Sequence, residues 1–166
     1  MATAIAVPIL LLLTLLQMAA VSRLPLVHGS ADLILLALAA WGIQDKARNA
    51  WQWALIAVIM VSFVSALPWI TVLLPYLAIV LLARFLHSRI WRSPIFGMLL
   101  ITIAGTLLQH LSTFITLQFM EISITFLQML REITIPSLIL NLILALPIYV
   151  LIHDIAGWIY PVEEYE

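Results

Sequence analysis

The sequence predicts an all-α polytopic membrane protein, a bundle of six transmembrane helices. Of the 166 residues, 65% are apolar and 9% are charged, and the mean hydropathy is +1.20. A soluble domain with this composition would have too few polar side chains to cover its surface. Residues 49–83 also contain no Asp, Glu, Lys, Arg or His. We therefore expect residues 1–166 to form a single integral membrane domain.

The charge-free run 49–83 is too long for one membrane helix. As a single helix it would extend for about 50 Å, whereas the hydrocarbon core of a bilayer is about 30 Å thick. Pro68 lacks the amide proton that would continue a helix, and it biases Leu67 toward extended backbone. The run is therefore predicted to form two short helices joined by a tight hairpin at residues 65–69.

Apolar runs between polar residues define the six predicted helices. These cover residues 4–21, 31–44, 51–65, 69–83, 94–118 and 136–155. The first is interpreted as a retained helix, because the run lacks the basic region of a signal peptide. The second, third and fourth are short for a span and are expected to depend on packing against neighbours. Ser30 precedes the second helix, and Asp32 in its first turn is predicted to act as a cap.

The segment 121–134, between the fifth and sixth predicted helices, is amphipathic. Its charged residues Glu121, Arg131 and Glu132 are interspersed with apolar residues at roughly helical spacing. This pattern favours a stretch that lies along the outer membrane interface or continues the fifth helix beyond the membrane. Docking of another helix is an alternative.

The distribution of basic residues predicts that both termini are cytoplasmic. With the N-terminus inside, the inner loops hold Lys46, Arg48, Arg84, Arg89 and Arg92, whereas the outer loops hold Arg23 and Arg131. The loop carrying Arg84, Arg89 and Arg92 is predicted to contact anionic lipid headgroups or a cytoplasmic partner. Lipid contact or simple orientation is the simpler interpretation. A net charge near zero and the absence of a dense basic run predict no nucleic-acid partner.

The fifth predicted helix carries a polar stripe with helical spacing. Its members are Thr102, Thr106, Gln109, Thr113 and Thr116. A stripe this polar should face other helices or a wet cavity rather than lipid, and ordinary interhelical hydrogen bonding is the simplest interpretation. A ligand pocket is the alternative. His110 adjoins the stripe as an ionisable residue deep within a predicted span, which makes it a functional candidate.

No catalytic, metal or cofactor motif accompanies this stripe in the sequence. The chain has no cysteine, and its other histidines, His28, His87 and His153, lie at loops or helix ends. No nucleophile elbow, glycine-rich phosphate loop or HExxH helix is present. The sequence thus predicts a non-enzymatic protein without a metal or cofactor, whose surface is its means of action.

Two segments resemble the bacterial rod shape-determining protein MreD family. Residues 30–36, Ser-Ala-Asp-Leu-Ile-Leu-Leu, continuing to Trp41-Gly42-Ile43, resemble the start of that family's second helix, where an Asp-Leu pair opens an aliphatic run. Residues 135–142, continuing to Pro147-Ile148-Tyr149, resemble its closing Pro, Asn and Pro pattern. Residues 61–68 depart from the family pattern, because they carry neither the acid nor the glycines that are common there.

The resemblance implies a structural component of the cell-elongation machinery in the bacterial inner membrane. Such a protein would pair with MreC and would help couple the cytoskeletal MreB to the peptidoglycan polymerase RodA and its penicillin-binding transpeptidase. The family fold is thought to be similar to the S component of energy-coupling-factor transporters. This similarity supplies the alternative function, capture of a vitamin-like small molecule, for which the polar stripe around Gln109 would be the site.

Overall fold

The structure is a computed structural model, and it describes residues 2–19, 29–45, 47, 49–87 and 94–160. Within these ranges the regular structure is entirely helical. The six helices are α1 (Ala2–Ala19), α2 (Leu33–Ile43), α3 (Ala50–Val64), α4 (Trp69–His87), α5 (Pro94–Phe119) and α6 (Phe126–Ile159). In α6, an α-helical turn (Phe126–Gln128) leads into a π-helical segment (Met129–Thr134) and then an α-helix (Ile135–Ile159). The predicted all-α fold with six helices is confirmed.

Three of the six helices are long and apolar enough to cross a membrane. The qualifying segments are Trp69–Leu86 in α4, Pro94–Phe119, which is α5, and Phe126–Ile159, which is α6. The fourth helix was predicted to end at residue 83, which is too early, because α4 continues to His87. The helix α2 has 11 residues. At 1.5 Å per residue it extends for about 16 Å, about half the thickness of the hydrocarbon core.

The hairpin predicted between the third and fourth helices is present. The helix α3 ends at Val64, and α4 begins at Trp69. The Ser65 hydroxyl accepts a hydrogen bond from the Leu67 amide at 3.1 Å, so it supports the turn just before Pro68. This confirms that Pro68 marks the end of one helix and the start of the next.

Of the forms predicted for residues 121–134, continuation of the fifth helix is wrong. The helix α5 stops at Phe119, and a turn follows in which Glu121 has a positive φ of 59°. Thr125 then starts α6 with a capping box, because its side chain accepts from the Gln128 amide while the Gln128 side chain accepts from the Thr125 amide. Residues 126–134 therefore form the first turns of the last helix instead of an extension of the fifth.

The helix α2 lies at the centre of the bundle. It contacts each of the other five helices, and all of its 11 residues are buried. Its sequence is apolar on every face, which is typical of a helix enclosed by others. Small residues let the neighbours approach closely: a Cβ on Gly42 would lie 2.6 Å from the Ala83 Cβ of α4. This packing encloses a helix that is too short to span a membrane alone.

The C-terminal end of α2 is fixed by polar contacts as well as by packing. The Gln44 carbonyl accepts a hydrogen bond from Arg84 Nη1 at 3.2 Å, and Gln44 Oε1 lies 3.1 Å from His153 Nδ1. A guanidinium at this position complements the negative end of the helix dipole. Next to it, the Trp41 ring of α2 stacks on the Trp53 ring of α3 with centroids 4.0 Å apart. These contacts connect α2 to α3, α4 and α6.

Candidate functional site

The candidate site is built around Asp32 at the N-terminus of α2. Asp32 is the N-cap of this helix, and its Oδ1 accepts from the Leu35 amide at 2.9 Å. The predicted capping role of Asp32 is therefore confirmed, although Asp32 lies just before the first turn of α2 and not within it, because the helix begins at Leu33. The Tyr76 hydroxyl of α4 also donates to the carboxylate, at 3.2 Å from Oδ1 and 3.0 Å from Oδ2. The carboxylate is thus held in one orientation by two different helices.

Asn141 of α6 connects this cap to the polar stripe of α5. Its Oδ1 accepts from the Asp32 amide at 2.8 Å, and its Nδ2 donates to Thr106 Oγ1 at 2.9 Å. Thr106 Oγ1 in turn donates to the Thr102 carbonyl at 2.8 Å. Asn141 is 1% exposed and Thr106 is fully buried, so these bonds lie in the interior of the bundle. One continuous network therefore joins α2, α5 and α6.

Two further contacts complete the polar surroundings of the α2 N-terminus. The Leu33 amide donates to Gln17 Oε1 of α1 at 3.0 Å, and the Ser30 amide donates to Ser137 Oγ of α6 at 3.0 Å. An α-helix leaves its first amides without intrahelical partners, and buried amides need such acceptors. Side chains from both ends of the chain thus supply what the start of α2 requires.

A polar cavity of about 180 Å³ adjoins this network. Its walls come from α1, α2, α5 and α6 and from the residues just before α2. The lining residues are Gln17, Ser30, Asp32, Leu35, Thr106, Gln109, His110, Thr113, Leu117, Met129, Ile133 and Asn141. In this lining, Gln109 Oε1 is buried and has no hydrogen-bond partner. Because buried carbonyl oxygens are normally hydrogen-bonded, this atom is available to a ligand or to water.

A second cavity of about 250 Å³ is also lined by Asp32. Three side chains, those of Gln17, Asp32 and Gln109, line both cavities. The second cavity also borders Tyr76 and the hairpin between α3 and α4. The side chains of Gln17, Asp32 and Gln109 therefore form a polar wall that the two cavities share.

The π-helical segment of α6 shapes one wall of the first cavity. Met129 and Ile133 from this segment line the cavity, and Thr134 Oγ1 lies 3.0 Å from His110 Nδ1. A π-helical turn accommodates an extra residue and therefore rotates the side chains that follow it. Such turns are frequent at functional sites. Here the turn places the Thr134 hydroxyl, the only hydroxyl in the π-helical segment, within hydrogen-bond distance of His110 Nδ1.

The structure brings most of the predicted stripe to the network or the cavity. Thr106, Gln109, His110 and Thr113 line the cavity. Thr102 is fully buried, and its hydroxyl donates to the Met98 carbonyl of its own helix. Both interpretations of the stripe therefore have a structural counterpart: Thr106 takes part in interhelical hydrogen bonding, and Gln109 faces a cavity with its oxygen unpaired.

Thr116, at the far end of the stripe, lies outside the cavity. Its Oγ1 is 2.8 Å from Thr71 Oγ1 of α4 and donates to the Ser112 carbonyl of its own helix. The Ser112 hydroxyl also donates to the Thr71 carbonyl at 3.0 Å. This end of the stripe therefore fastens α5 to α4.

Of the three arginines predicted to contact lipid or a partner, the structure describes only Arg84. Arg84 donates to the Gln44 carbonyl, so it is a structural contact at the end of α2. Arg89 and Arg92 lie outside the described residues. Among the residues that the structure describes, no group of three or more His, Cys, Asp or Glu side chains is arranged to hold a metal ion.

Sequence reasoning underestimated several members of this site. Asp32 was interpreted as a cap alone, and Gln17, Asn141 and Tyr76 were not assigned to a site. A signal was present, because an acid at the start of one apolar run and a tyrosine in the middle of another need polar partners. Their common location is set by the packing of α1, α4 and α6 around α2, which no local pattern reveals.

Comparison of the chain with protein-family models, curated proteins and solved structures gives no match. The site is therefore interpreted from its own chemistry: a partly buried carboxylate, an unpaired amide oxygen and several hydroxyl groups in a cavity between helices.

Proposed function

We propose that this chain is a non-enzymatic membrane scaffold of the bacterial cell-elongation complex. In this role it pairs with MreC in the inner membrane and helps couple MreB to RodA and its penicillin-binding transpeptidase, thereby regulating peptidoglycan synthesis and cell shape. The proposal depends on the resemblance of residues 30–43 and 135–149 to the MreD family.

One structural observation supports the proposal. The two resembling segments are about a hundred residues apart in the chain, yet they pack directly against each other. The Asp32 amide donates to Asn141 Oδ1, and the Ser30 amide donates to Ser137 Oγ. The residues that carry the resemblance, Asp32 and Asn141 among them, therefore belong to one structural unit, as expected if they share one origin and one role.

The proposed topology has six membrane-embedded helices and two cytoplasmic termini. The short helix α2 would be shielded from lipid by the five helices around it, which removes the need for it to span the bilayer alone. Cysteine labelling tests the orientation, since the chain has no native cysteine. Single cysteines at Ala2 and Glu166 should both be protected from a membrane-impermeant maleimide in intact cells. Labelling of one end only would overturn the topology.

The outer surface offers apolar side chains to lipid and to partner helices. Phe63, Phe119 and Trp158 are 87%, 85% and 90% exposed, and they lie on α3, α5 and α6. Exposed aromatic side chains in a bundle are suitable anchors for a neighbouring helix. A scaffold would therefore bind its single-span partner through such a face, without a reactive group.

Photo-crosslinking in native membranes tests the scaffold function. A photoreactive amino acid is placed at Phe63, Phe119 or Trp158 in turn, and the fully buried Ala37 serves as the matched control. At least one exposed position should capture a single-span, coiled-coil protein that the control position does not capture. Failure of every exposed position, together with normal cell shape after deletion of the gene, would refute the proposal.

The polar cavity favours a second candidate function, capture of a vitamin-like small molecule as an S component does. The supporting observation is the buried Gln109 Oε1, which has no partner and lines both cavities. Mass spectrometry of the protein purified from its native membrane should then detect a bound small molecule. The molecule should be lost in Gln109→Leu and retained in Thr116→Val, whose residue lies outside the cavity.

A further inference from the structure

We propose that the polar cavity binds a primary ammonium group, carried by a small organic molecule or by a lipid headgroup, with Asp32 as its anchor. This inference deepens the second candidate function by naming the chemistry of its ligand. It is independent of the scaffold function, because a scaffold could also hold such a group.

The first argument is the excess of hydrogen-bond acceptors. A carboxylate has about four lone-pair sites. That of Asp32 receives three donors, the Leu35 and Ile34 amides and the Tyr76 hydroxyl, so about one site stays open. Gln109 Oε1 lines the same cavity and accepts nothing. An ammonium group has three donors and no acceptor, and it therefore complements this pair.

The second argument concerns charge. Among the described residues, no positively charged side chain contacts Asp32. The N-terminus of α2 supplies a partial charge of about half a unit, which stabilises the carboxylate without neutralising it. A carboxylate that is partly buried between helices is stabilised by pairing with a cation, because an unpaired charge is costly in an apolar environment. An anionic ligand would be repelled, whereas a cationic one would supply the missing partner.

The third argument is size. The first cavity has a volume of about 180 Å³. Since an apolar cavity of about 150 Å³ can hold benzene, a molecule of about six to eight non-hydrogen atoms would fit. An amine with a short polar chain, or an ethanolamine headgroup, is within this size.

Two probes matched in size distinguish ammonium binding from filling of the cavity. The full chain in detergent is titrated with aminobutanol or with butanediol, which have the same number of non-hydrogen atoms, and thermal unfolding is followed. Aminobutanol should raise the midpoint in a concentration-dependent way, because a ligand stabilises the state that it binds. Butanediol should not.

Two lipid arms separate the possible sources of the ammonium group. Native mass spectrometry is run on protein from nanodiscs of phosphatidylethanolamine or of phosphatidylglycerol. Retention of phosphatidylethanolamine alone identifies a headgroup site. If neither lipid is retained while aminobutanol binds, the source is a free amine.

Variants test the anchor. Asp32→Asn keeps a side-chain oxygen for the Leu35 amide but removes the charge, and it should weaken aminobutanol binding by about tenfold to a hundredfold. Gln109→Leu removes an atom that has no protein partner, so folding should be preserved while binding weakens. Thr116→Val, outside the cavity, is the control and should bind normally. Arg23→Gln should also bind normally, because Arg23 is the Lys or Arg nearest to Asp32 in the sequence and is not part of the proposed anchor.

The outcomes separate this inference from the function on which it depends. Equal stabilisation by aminobutanol and butanediol, unchanged binding in Asp32→Asn, or lost binding in Arg23→Gln would overturn the ammonium site. If Asp32→Asn does not fold, unchanged binding in Gln109→Leu decides against the site. A neutral or anionic molecule found in the native protein would overturn the inference but leave small-molecule capture standing. Absence of any ligand and any probe binding would refute both.

Discussion

Asn141→Leu should destabilise the bundle by about 2 kcal/mol. Asn141 makes two interhelical hydrogen bonds, one from the Asp32 amide and one to Thr106 Oγ1. Interhelical bonds between side chains in membrane proteins average about 0.6 kcal/mol and reach about 1.7, so two of them give about 1.2 to 3.4. Leucine has the same number and branching of side-chain heavy atoms as asparagine, so the substitution leaves no cavity. The Asp32 amide, left without an acceptor, places the result in the middle of this range.

This change corresponds to roughly a thirtyfold shift in the folding equilibrium. It is measurable by unfolding in mixed micelles with increasing denaturing detergent, followed by tryptophan fluorescence of the buried Trp41 and Trp53. Gln109→Leu is the matched control, since it also replaces a polar side chain in this region but breaks no bond of its carbonyl. Its effect should stay within about 0.5 kcal/mol.

A double-mutant cycle isolates the bond between Asn141 and Thr106. Thr106→Val removes the acceptor of Asn141 Nδ2, so the two substitutions together should cost less than the sum of the single effects. We expect a coupling free energy of about 0.5 to 1.5 kcal/mol. Additive effects, or an Asn141→Leu change no larger than that of Gln109→Leu, would show that the network does not stabilise the fold.

Three further predictions concern packing and the helix cap. Gly42→Ala should cost about 1 to 3 kcal/mol, because its Cβ would approach the Ala83 Cβ to 2.6 Å, and adding Ala83→Gly should restore most of the loss in the same unfolding assay. Trp41→Phe should change the free energy of unfolding by less than about 1.5 kcal/mol, because the buried indole Nε1 has no hydrogen-bond partner to lose. Trp41→Ala removes the ring that stacks on Trp53 and should cost about 3 to 5 kcal/mol. Equal losses in the two variants would contradict the packing role of this ring. Asp32→Ala removes both the helix cap and the hydrogen bond from Tyr76, whereas Tyr76→Phe removes only that hydrogen bond. Asp32→Ala should therefore cost at least about 1 kcal/mol more in the free energy of unfolding. Equal losses would show that the cap does not stabilise the fold.

The features that the sequence predicts correctly are those with a local physical cause. Pro68 ends one helix and starts another because of its own geometry, so the hairpin was predictable. Asp32 caps α2 because an N-cap needs only an oxygen next to the first amides. The apolar runs give six helices for the same reason, with errors of up to four residues at the helix ends except at the start of α6, which lies ten residues before the predicted one.

The errors arose where tertiary packing decides. Residues 126–134 have a helical pattern whichever neighbour they join, and only the positive φ at Glu121 and the cap at Thr125 assign them to α6. The π-helical segment could not be predicted, because it depends on how Met129 and Thr134 fit against α5. A pattern of residue types fixes the kind of element and leaves its partner open.

The candidate site was predictable from the sequence only in part. The stripe on α5 predicted an inward face and gave the residues of one wall. The opposite wall needs Gln17 and Asn141, which come from the first and last helices and meet only because α2 is enclosed by both. The two roles of Asp32 do not compete, since capping uses one oxygen toward the Leu35 amide while the carboxylate still faces two cavities. Gln109 lines the same two cavities as Asp32, and its unpaired Oε1 is open there to a ligand or to water.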